Sequence, residues 1–303
     1  MPIVPAARLI APLALCVLAA ALHSARRDPS FLPSASANGQ QVPAPLAYDV
    51  YAVRFATQAS YPTRFLVVGA DSARRSQLAF TIWLLRGEGR TVLVDAGFYR
   101  DKFVQRWKPA AFARPSDALA ALGLKPEDVS DIVISHVHWD HLDGADLFPR
   151  ARIWIQADEF AHHTNDTGAV LDRAIDADDA KMLARLKAAG RVQLVGGDST
   201  EIIPGITVFT GGKHTYASQF VAVNARLAGG RTGTIVLASD NAYLYENLEK
   251  HRPIAQTLDS LSNLRAQERM FRLASAPRLV VPGHDMDVFT RFPKPGNGVA
   301  RIE

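Results

Sequence analysis

The sequence predicts an α+β fold, a four-layer αββα sandwich, and three observations carry that prediction. Short apolar, β-branched runs of strand length recur in both halves of the chain. Each strand-rich half is followed by segments of helical character, so each sheet has helices to cover its outer face. Several of the runs end in histidine or aspartate, which puts polar chemistry at strand ends.

In chain order, residues 1–25 read as a secretory signal peptide. Leu9 to Leu22 is an apolar run behind Arg8, with small residues at Ala19 to Ala21, and it is too short and too interrupted by proline for a membrane span. Export to a periplasm or to the outside follows. Cys16 is preceded by Leu15, where a lipid-attachment signal needs a small side chain, so a lipid anchor is disfavoured. It is the one cysteine in the chain, so the mature protein can have neither a disulfide nor a thiol nucleophile. Residues 26–46, rich in Pro, Ser, Ala and Gly, read as a flexible linker.

A single catalytic domain is expected over 47–303. It opens with strand-like Tyr48–Phe55, Phe65–Val68, Leu78–Leu85 and Thr91–Asp95, the last two joined by a hairpin turn at Gly87-Glu88-Gly89. Helical segments follow at Asp117–Leu122 and Asp178–Ala189, each closed by glycine, with a strand at Ala151–Gln156 between them. The second half reads as strands at Arg191–Leu194, Ile202–Thr210, Gln219–Leu227 and Thr234–Ser239, then a helix over about Thr257–Ala274 and a final strand at Leu279–Val281. The formal charge of +4 comes from dispersed Lys and Arg, which is ordinary solvated surface, and no nucleic-acid partner is expected.

The organising stretch is Asp131 to Gly144, DIVISHVHWDHLDG. Asp131 to Ser135 reads as a buried strand that delivers His136, His138, Asp140 and His141 on a rigid support. Residues two apart in extended chain share a face, so His136 and His138 can close on one cation while Asp140 and His141 turn toward a neighbouring volume. Imidazole nitrogens with a carboxylate oxygen suit zinc, or iron, manganese or cobalt. His162 and His163 have no acidic or thiol partner at ligand spacing and read as surface residues near the substrate at most.

H-x-H-x-D-H is the signature of the metallo-β-lactamase superfamily, and the chain resembles that family from about Tyr51 to about Phe292. Thr91 to Gly97 is similar to its V-D-x-G element, Lys213-His214 supplies a third histidine, Thr234 to Asp240 ends in a bridging aspartate, and Leu279 to His284 ends in the last histidine. The resemblance implies the metallo-β-lactamase fold. It also implies two divalent cations, with zinc the expected ion: His136, His138 and His214 on one, Asp140, His141 and His284 on the other, and Asp240 between them. Asp95 is assigned to orienting a ligating histidine, or else to turning the chain at a strand end.

Two such ions sharing an oxygen make a hydroxide nucleophile near neutral pH, so a hydrolase is implied. His138 stands where the flavodi-iron branch has glutamate. Asp240 stands where true β-lactamases lack aspartate, and only 19 residues follow His284, fewer than glyoxalase II-like thioesterases carry. The N-acyl homoserine lactonase branch fits best, because Asp240-Asn-Ala-Tyr243 places a tyrosine three residues after the bridging aspartate. Gly211-Gly-Lys-His214-Thr215 departs from that branch's H-T-P-G-H pattern.

The implied activity is opening of a lactone ring, with a small-molecule lactone or ester as partner, no stable membrane insertion once the leader is removed, and a role in quorum quenching. Asp140, Asp240 and Tyr243 are the implied catalytic residues, Tyr243 as donor to the oxyanion, with Tyr245 close by as the competing ring. An apolar pocket is expected from Phe55 to Phe65 and from Trp139. Another esterase or thioesterase, or a metal-binding protein without turnover, stays open beside this reading.

Overall fold

Strand β2 (Arg75–Gly87) shows why the apolar runs are so continuous. Its successive side chains point to opposite faces, and both faces are covered. Ala79, Trp83 and Leu85 enter a core shared with the second sheet, whereas Phe80, Ile82 and Leu84 enter a core shared with helices. A computed structural model describes residues 46–303 of the chain in this way. The leader and most of the linker read from the sequence lie outside the described residues.

The first sheet has the order β12-β1-β2-β3-β4-β5-β6, with β1 at Asp49–Pro62, β3 at Arg90–Val94, β4 at Asp131–Val133, β5 at Arg152–Gln156, β6 at Val192–Val195 and β12 at Val299–Ile302. The second sheet has the order β11-β10-β9-β8-β7, with β7 at Thr200–Ile203, β8 at Ile206–Thr210, β9 at Gln219–Arg226, β10 at Thr232–Ser239 and β11 at Val280–Pro282. The pairs β3–β4, β4–β5, β5–β6 and β10–β11 are parallel and the remaining pairs antiparallel. Parallel neighbours need crossovers. Helices α1 (Asp101–Trp107) and α2 (Pro115–Ala120) lie between β3 and β4, and α3 (Trp139–Leu142) between β4 and β5. Between β5 and β6 lie α4 (Ala157–His163) and α5 (Ala177–Ala188). Phe103, Leu119, Met182, Leu183 and Leu186 of these helices pack on the outer face of the first sheet.

Helices α6 (Tyr245–Glu249), α7 (Ser260–Leu273) and α8 (Val288–Arg291) follow β10 and β11. Ala266 and Met270 of α7 pack with Ile235 to Ala238 of β10, and the α7 N-terminus is capped by the Asp259 carboxylate, which accepts from the amides of Leu261 and Ser262. Two sheets face to face with helices outside make the expected αββα sandwich. Among the described residues no helix is long and apolar enough to cross a membrane.

Several expectations need correction. Phe65–Val68 is not a strand: Thr63–Phe65 is a short 3-10 turn, and Val67 makes one isolated bridge to Ile254. Ile202–Thr210 is two strands, because Pro204-Gly205 turns the chain, Gly205 at φ 81°, into a hairpin. The expected hairpin between β2 and β3 is present, with Glu88 and Gly89 both at positive φ as its two-residue turn requires. Helix α4 and strand β12, which pairs with β1, were absent from the sequence reading. Both are short, and neither has a periodic apolar face.

Candidate metal centre

Every loop that carries a ligand expected from the sequence leaves the carboxyl end of a strand on one edge of the sandwich. Strands β8 and β10 are both antiparallel to β9 and so run the same way, as does β11. His214 follows β8, Asp240 and Tyr243 follow β10, and His284 follows β11. In the first sheet Asp95 follows β3, and His136 to His141 follow its parallel neighbour β4. The sheets are stitched at this edge by Gln219, whose amide N–H donates to Ser135 O (2.8 Å) and whose Nε2 donates to Ile134 O (2.8 Å).

Backbone strain collects here. Asp95 (φ 61°), Lys213 (φ 59°) and Ser239 (φ 46°) adopt the left-handed region that disfavours a side chain, and two of them directly precede candidate ligands. Glycine is needed at Gly144, where a Cβ would lie 2.2 Å from Ala96 O, and its absence lets α3 dock on the Asp95 loop. Gly283 likewise lies against the Ser239 backbone, where a Cβ would come within 2.8 Å. His284 and Asp240 are thereby brought together.

The side chains converge as two adjoining groups. His138 Nδ1 lies 3.0 Å from His136 Nε2 and 2.9 Å from His214 Nε2. Asp240 Oδ2 stands 3.3 Å from His214 Nε2 and 3.8 Å from His136 Nε2. In the second group Asp240 Oδ1 lies 2.9 Å from His284 Nε2 and 3.2 Å from His141 Nε2, and Asp140 Oδ2 is 3.8 and 3.7 Å from the same two nitrogens. One carboxylate thus turns an oxygen to each group. All of these side chains are buried except His138 and Asp140, which are half-buried at the cavity floor.

The outward ring nitrogens fix the ring orientations. His214 Nδ1 donates to Gln256 O (2.8 Å) and His284 Nδ1 to Ala79 O (2.9 Å), since carbonyls only accept, so each ring presents its Nε2 to the interior. His141 Nδ1 faces Asp95 Oδ2 at 2.8 Å. Asp95 is itself held by Ser135 N (2.8 Å) and Ser239 Oγ (2.9 Å), so this carboxylate orients the His141 ring as well as turning the chain. Burial, and then the neighbouring imidazoles, hold His136 and His138 well below the usual histidine range, which keeps them neutral. Burial opposes charge on Asp240, but His141 and His284 outweigh it and hold its carboxyl well below the usual range.

Does this donor set fit a pair of cations? His141 Nε2 and Asp240 Oδ1 are buried with no hydrogen-bond partner, which a protein rarely tolerates without an ion or water. His138 Nδ1 lies within about 3 Å of Nε2 of both His136 and His214, a spacing compatible with ligands on one cation, and a single Nδ1–H could satisfy only one of those two neighbours. The residues fit.

Tyr243 is buried beside the centre, its hydroxyl 3.3 Å from His214 Nδ1. Burial and then the Asp240 and Asp140 charges push its phenol well above the usual range, so it keeps its proton. Because Gln256 O already takes the His214 proton, the Tyr243 hydrogen is free to point elsewhere. Tyr245 is a different case. It sits on α6 under the Arg291 guanidinium, 3.7 Å above its ring, away from the cavity.

A cavity of about 170 Å³ opens over His138, Asp140, His214, Asp240, Tyr243 and His284, with apolar walls from Tyr61, Leu66, Leu78, Phe80, Trp107 and Trp139. Trp139 stacks between Trp107 (5.2 Å) and Phe103 (4.9 Å). Phe55, expected in this wall, is buried in the helix-side core instead, because the β1 side chains alternate faces and its face is the outer one.

Two residues without a sequence signal belong to the site. Gln256 accepts from His214 and lines the cavity. Glu159 on α4 reaches both ligand loops from behind. His163, expected at the surface, is buried between Glu159 (3.5 Å) and Asp172 (3.2 Å), whereas His162 is exposed and stacks on Tyr216.

Residues 80–216 match the family model described as the metallo-beta-lactamase superfamily. The chain is 27% identical over 245 residues to the N-acyl homoserine lactonase AiiB of Agrobacterium fabrum, covering 75% of this chain and 87% of that one. It is 26% identical over 228 residues to an N-acyl homoserine lactonase of Bacillus sp, covering 69% and 83%. Its fold superposes with a TM-score of 0.66, at 18% identity over 82% of this chain and 98% of the other, on an N-acyl homoserine lactone hydrolase with N-hexanoyl-L-homoserine bound at its catalytic metal centre.

Proposed function

Since the chain belongs to the metallo-β-lactamase superfamily, we propose that it is a dinuclear metal-dependent hydrolase that opens the ring of N-acyl homoserine lactones, with quorum quenching as the consequence. The observation that carries this reading is Tyr243, a protonated phenol buried beside two groups of His and Asp donors under an apolar-walled cavity. His136, His138 and His214 would hold one cation and Asp140, His141 and His284 the other, with Asp240 facing both. Zn²⁺ suits five imidazoles and two carboxylates best. When bound, such a pair lowers the pKa of water and polarises a carbonyl, so no thiol or serine nucleophile is required.

The chain's own groups do the rest. The apolar wall formed by Leu66, Leu78, Phe80, Trp107 and Trp139 takes the acyl chain and excludes water around the ring. Tyr243 donates to the carbonyl oxygen as negative charge builds there. Addition of one water at the carbonyl carbon and cleavage of the ring C–O bond give a hydroxy acid, so a proton must pass from water to the departing ring oxygen. Asp240 and Asp140 are the carboxylates within reach to carry it.

A panel of lactone, ester, thioester and β-lactam substrates tests the reading, with acyl homoserine lactones expected to be turned over best. Preference for another carbonyl class, or no turnover by cation-loaded protein, sinks it. Tyr243→Phe should lower kcat by more than about tenfold with cation content unchanged, and an unaltered rate removes the phenol from the mechanism. We also propose that the protein acts in a periplasm or outside the cell, because the apolar run Leu9 to Leu22 behind Arg8 has the layout of a secretory leader. Terminal sequencing of the protein from fractionated cells tests this: a start near residue 26 in the exported fraction supports it, and an intact Met1 in the cytoplasm refutes it.

A further inference from the structure

The first group of ligands is assembled from two loops that belong to different sheets. His136 and His138 come from the loop after β4 in the first sheet, His214 from the loop after β8 in the second. Nothing in either loop's own sequence sets the distance between them. One buried side chain touches both.

Glu159 lies in the first turn of α4, directly after β5, and is fully buried. Its Oε1 accepts from Val137 N (3.2 Å), the amide between the two histidines of the first loop, and from Thr215 Oγ1 (2.6 Å), the residue after His214. Its Oε2 accepts from Ala217 N (2.7 Å) in the second loop. His163 closes the far side at 3.5 Å. A carboxylate can satisfy several donors at once, and here three come from the two ligand loops. Glu159 does not line the cavity over the centre, so it is not placed to touch substrate.

We propose that Glu159 is a positioning residue: its carboxylate ties the loop bearing His136 and His138 to the loop bearing His214, and so sets the spacing of the three imidazoles that take the first cation. The assignment rests on the metal-centre reading above and adds to it the part that tunes its affinity. The sheets stay joined by Gln219 when Glu159 is altered, because Gln219 N still donates to Ser135 O and Gln156 Nε2 to Gln219 Oε1. The consequence of a change at Glu159 is therefore a looser centre in a folded protein.

Glu159→Gln is the variant to make. It keeps the size of the side chain but replaces one acceptor oxygen by an NH₂ group that meets donors it cannot bond. The full chain, stripped and reloaded with Co²⁺ or Zn²⁺, should bind one of its two cations about 10- to 100-fold more weakly than wild type by chelator competition. The visible spectrum of the Co²⁺ form should shift, and at saturating metal kcat should fall while KM changes little. Thr215→Val removes one of the same three bonds and should move affinity and spectrum in the same direction by less, which keeps the assignment testable if Glu159→Gln does not fold.

A lower melting temperature with wild-type cation affinity and an unshifted Co²⁺ spectrum would mean that Glu159 only stabilises the fold, and would overturn the assignment alone. Wild-type protein that takes up no divalent cation overturns the centre itself and this assignment with it.

Discussion

Asp240→Ala leaves a folded protein with at most one tightly held cation per chain and a hydrolysis rate lower by about 10³-fold or more. The size follows from what is lost. Stabilisation of transition-state charge at a metal centre is worth several kcal/mol, and about 4 kcal/mol is roughly a thousandfold in rate. The direction follows from geometry, because Asp240 is the one carboxylate with an oxygen toward each group, Oδ2 to His214 and Oδ1 to His141 and His284. Removing it leaves buried imidazoles with no anion between them. Elemental analysis of the purified variant beside its kcat checks this, and two cations with near wild-type turnover would remove Asp240 from the centre.

Arg100→Ala should lower stability by about 3–5 kcal/mol. The guanidinium bonds Asp143 Oδ1, reaches Asp179 Oδ1 at 2.6 Å and stands 3.5 Å from Asp146 Oδ2, and both Asp143 and Asp179 are fully buried. Truncation strands the buried Asp143 carboxylate without its cation and leaves the protonated Asp179 carboxyl without a partner. The loop after β3 stays tied to this segment, because Asp143 Oδ2 still accepts from the backbone amides of residues 99 and 100, two positions beyond His141. Urea unfolding at neutral pH measures the loss, and a change below about 1 kcal/mol would mean that water already satisfies the cluster.

The same cluster sets a pH dependence. Burial, and then the adjacent Asp143, push the Asp179 carboxyl up to about 9, so the folded chain keeps a proton that the unfolded chain releases near its ordinary value of 3.8. The folded state then binds more protons across that window. This contribution to stability is complete below about pH 4 and is lost as pH rises through about 9. Asp179→Asn, which cannot ionise, should flatten that decline. An equally steep fall in the variant would place its origin elsewhere.

Much of this architecture can be read locally. Asp131 to His141 places a strand and four ligand candidates within a few residues, where spacing alone decides which side chains share a face. The middles of β2 (Leu78–Leu85), β9 (Phe220–Val223) and β10 (Ile235–Ala238) are apolar at nearly every position because both faces are buried there, and that leaves a signal no tertiary knowledge is needed to see. The misreadings are equally instructive. Phe65–Val68 has strand composition, yet the backbone turns at Thr63–Phe65, and Leu66 and Val67 pack around Tyr243 and Ile254 instead of joining a sheet. Glu159 and Gln256 carried no pattern at all. Gln256 acts through a backbone carbonyl, for which side-chain identity is nearly irrelevant.

The sequence by itself determined the sandwich class, most of the long apolar strands and the residue types available for a two-cation site. Those are properties of short windows, where covalent spacing limits what neighbouring side chains can do. Only the tertiary structure decided that Asp240 turns one oxygen to each group, that Tyr243 and not Tyr245 stands over them, and that Glu159 ties the two loops from behind. Those relations join residues about 20 to more than 100 positions apart, and they exist only because two sheets pack face to face and bring the carboxyl ends of their strands to one edge.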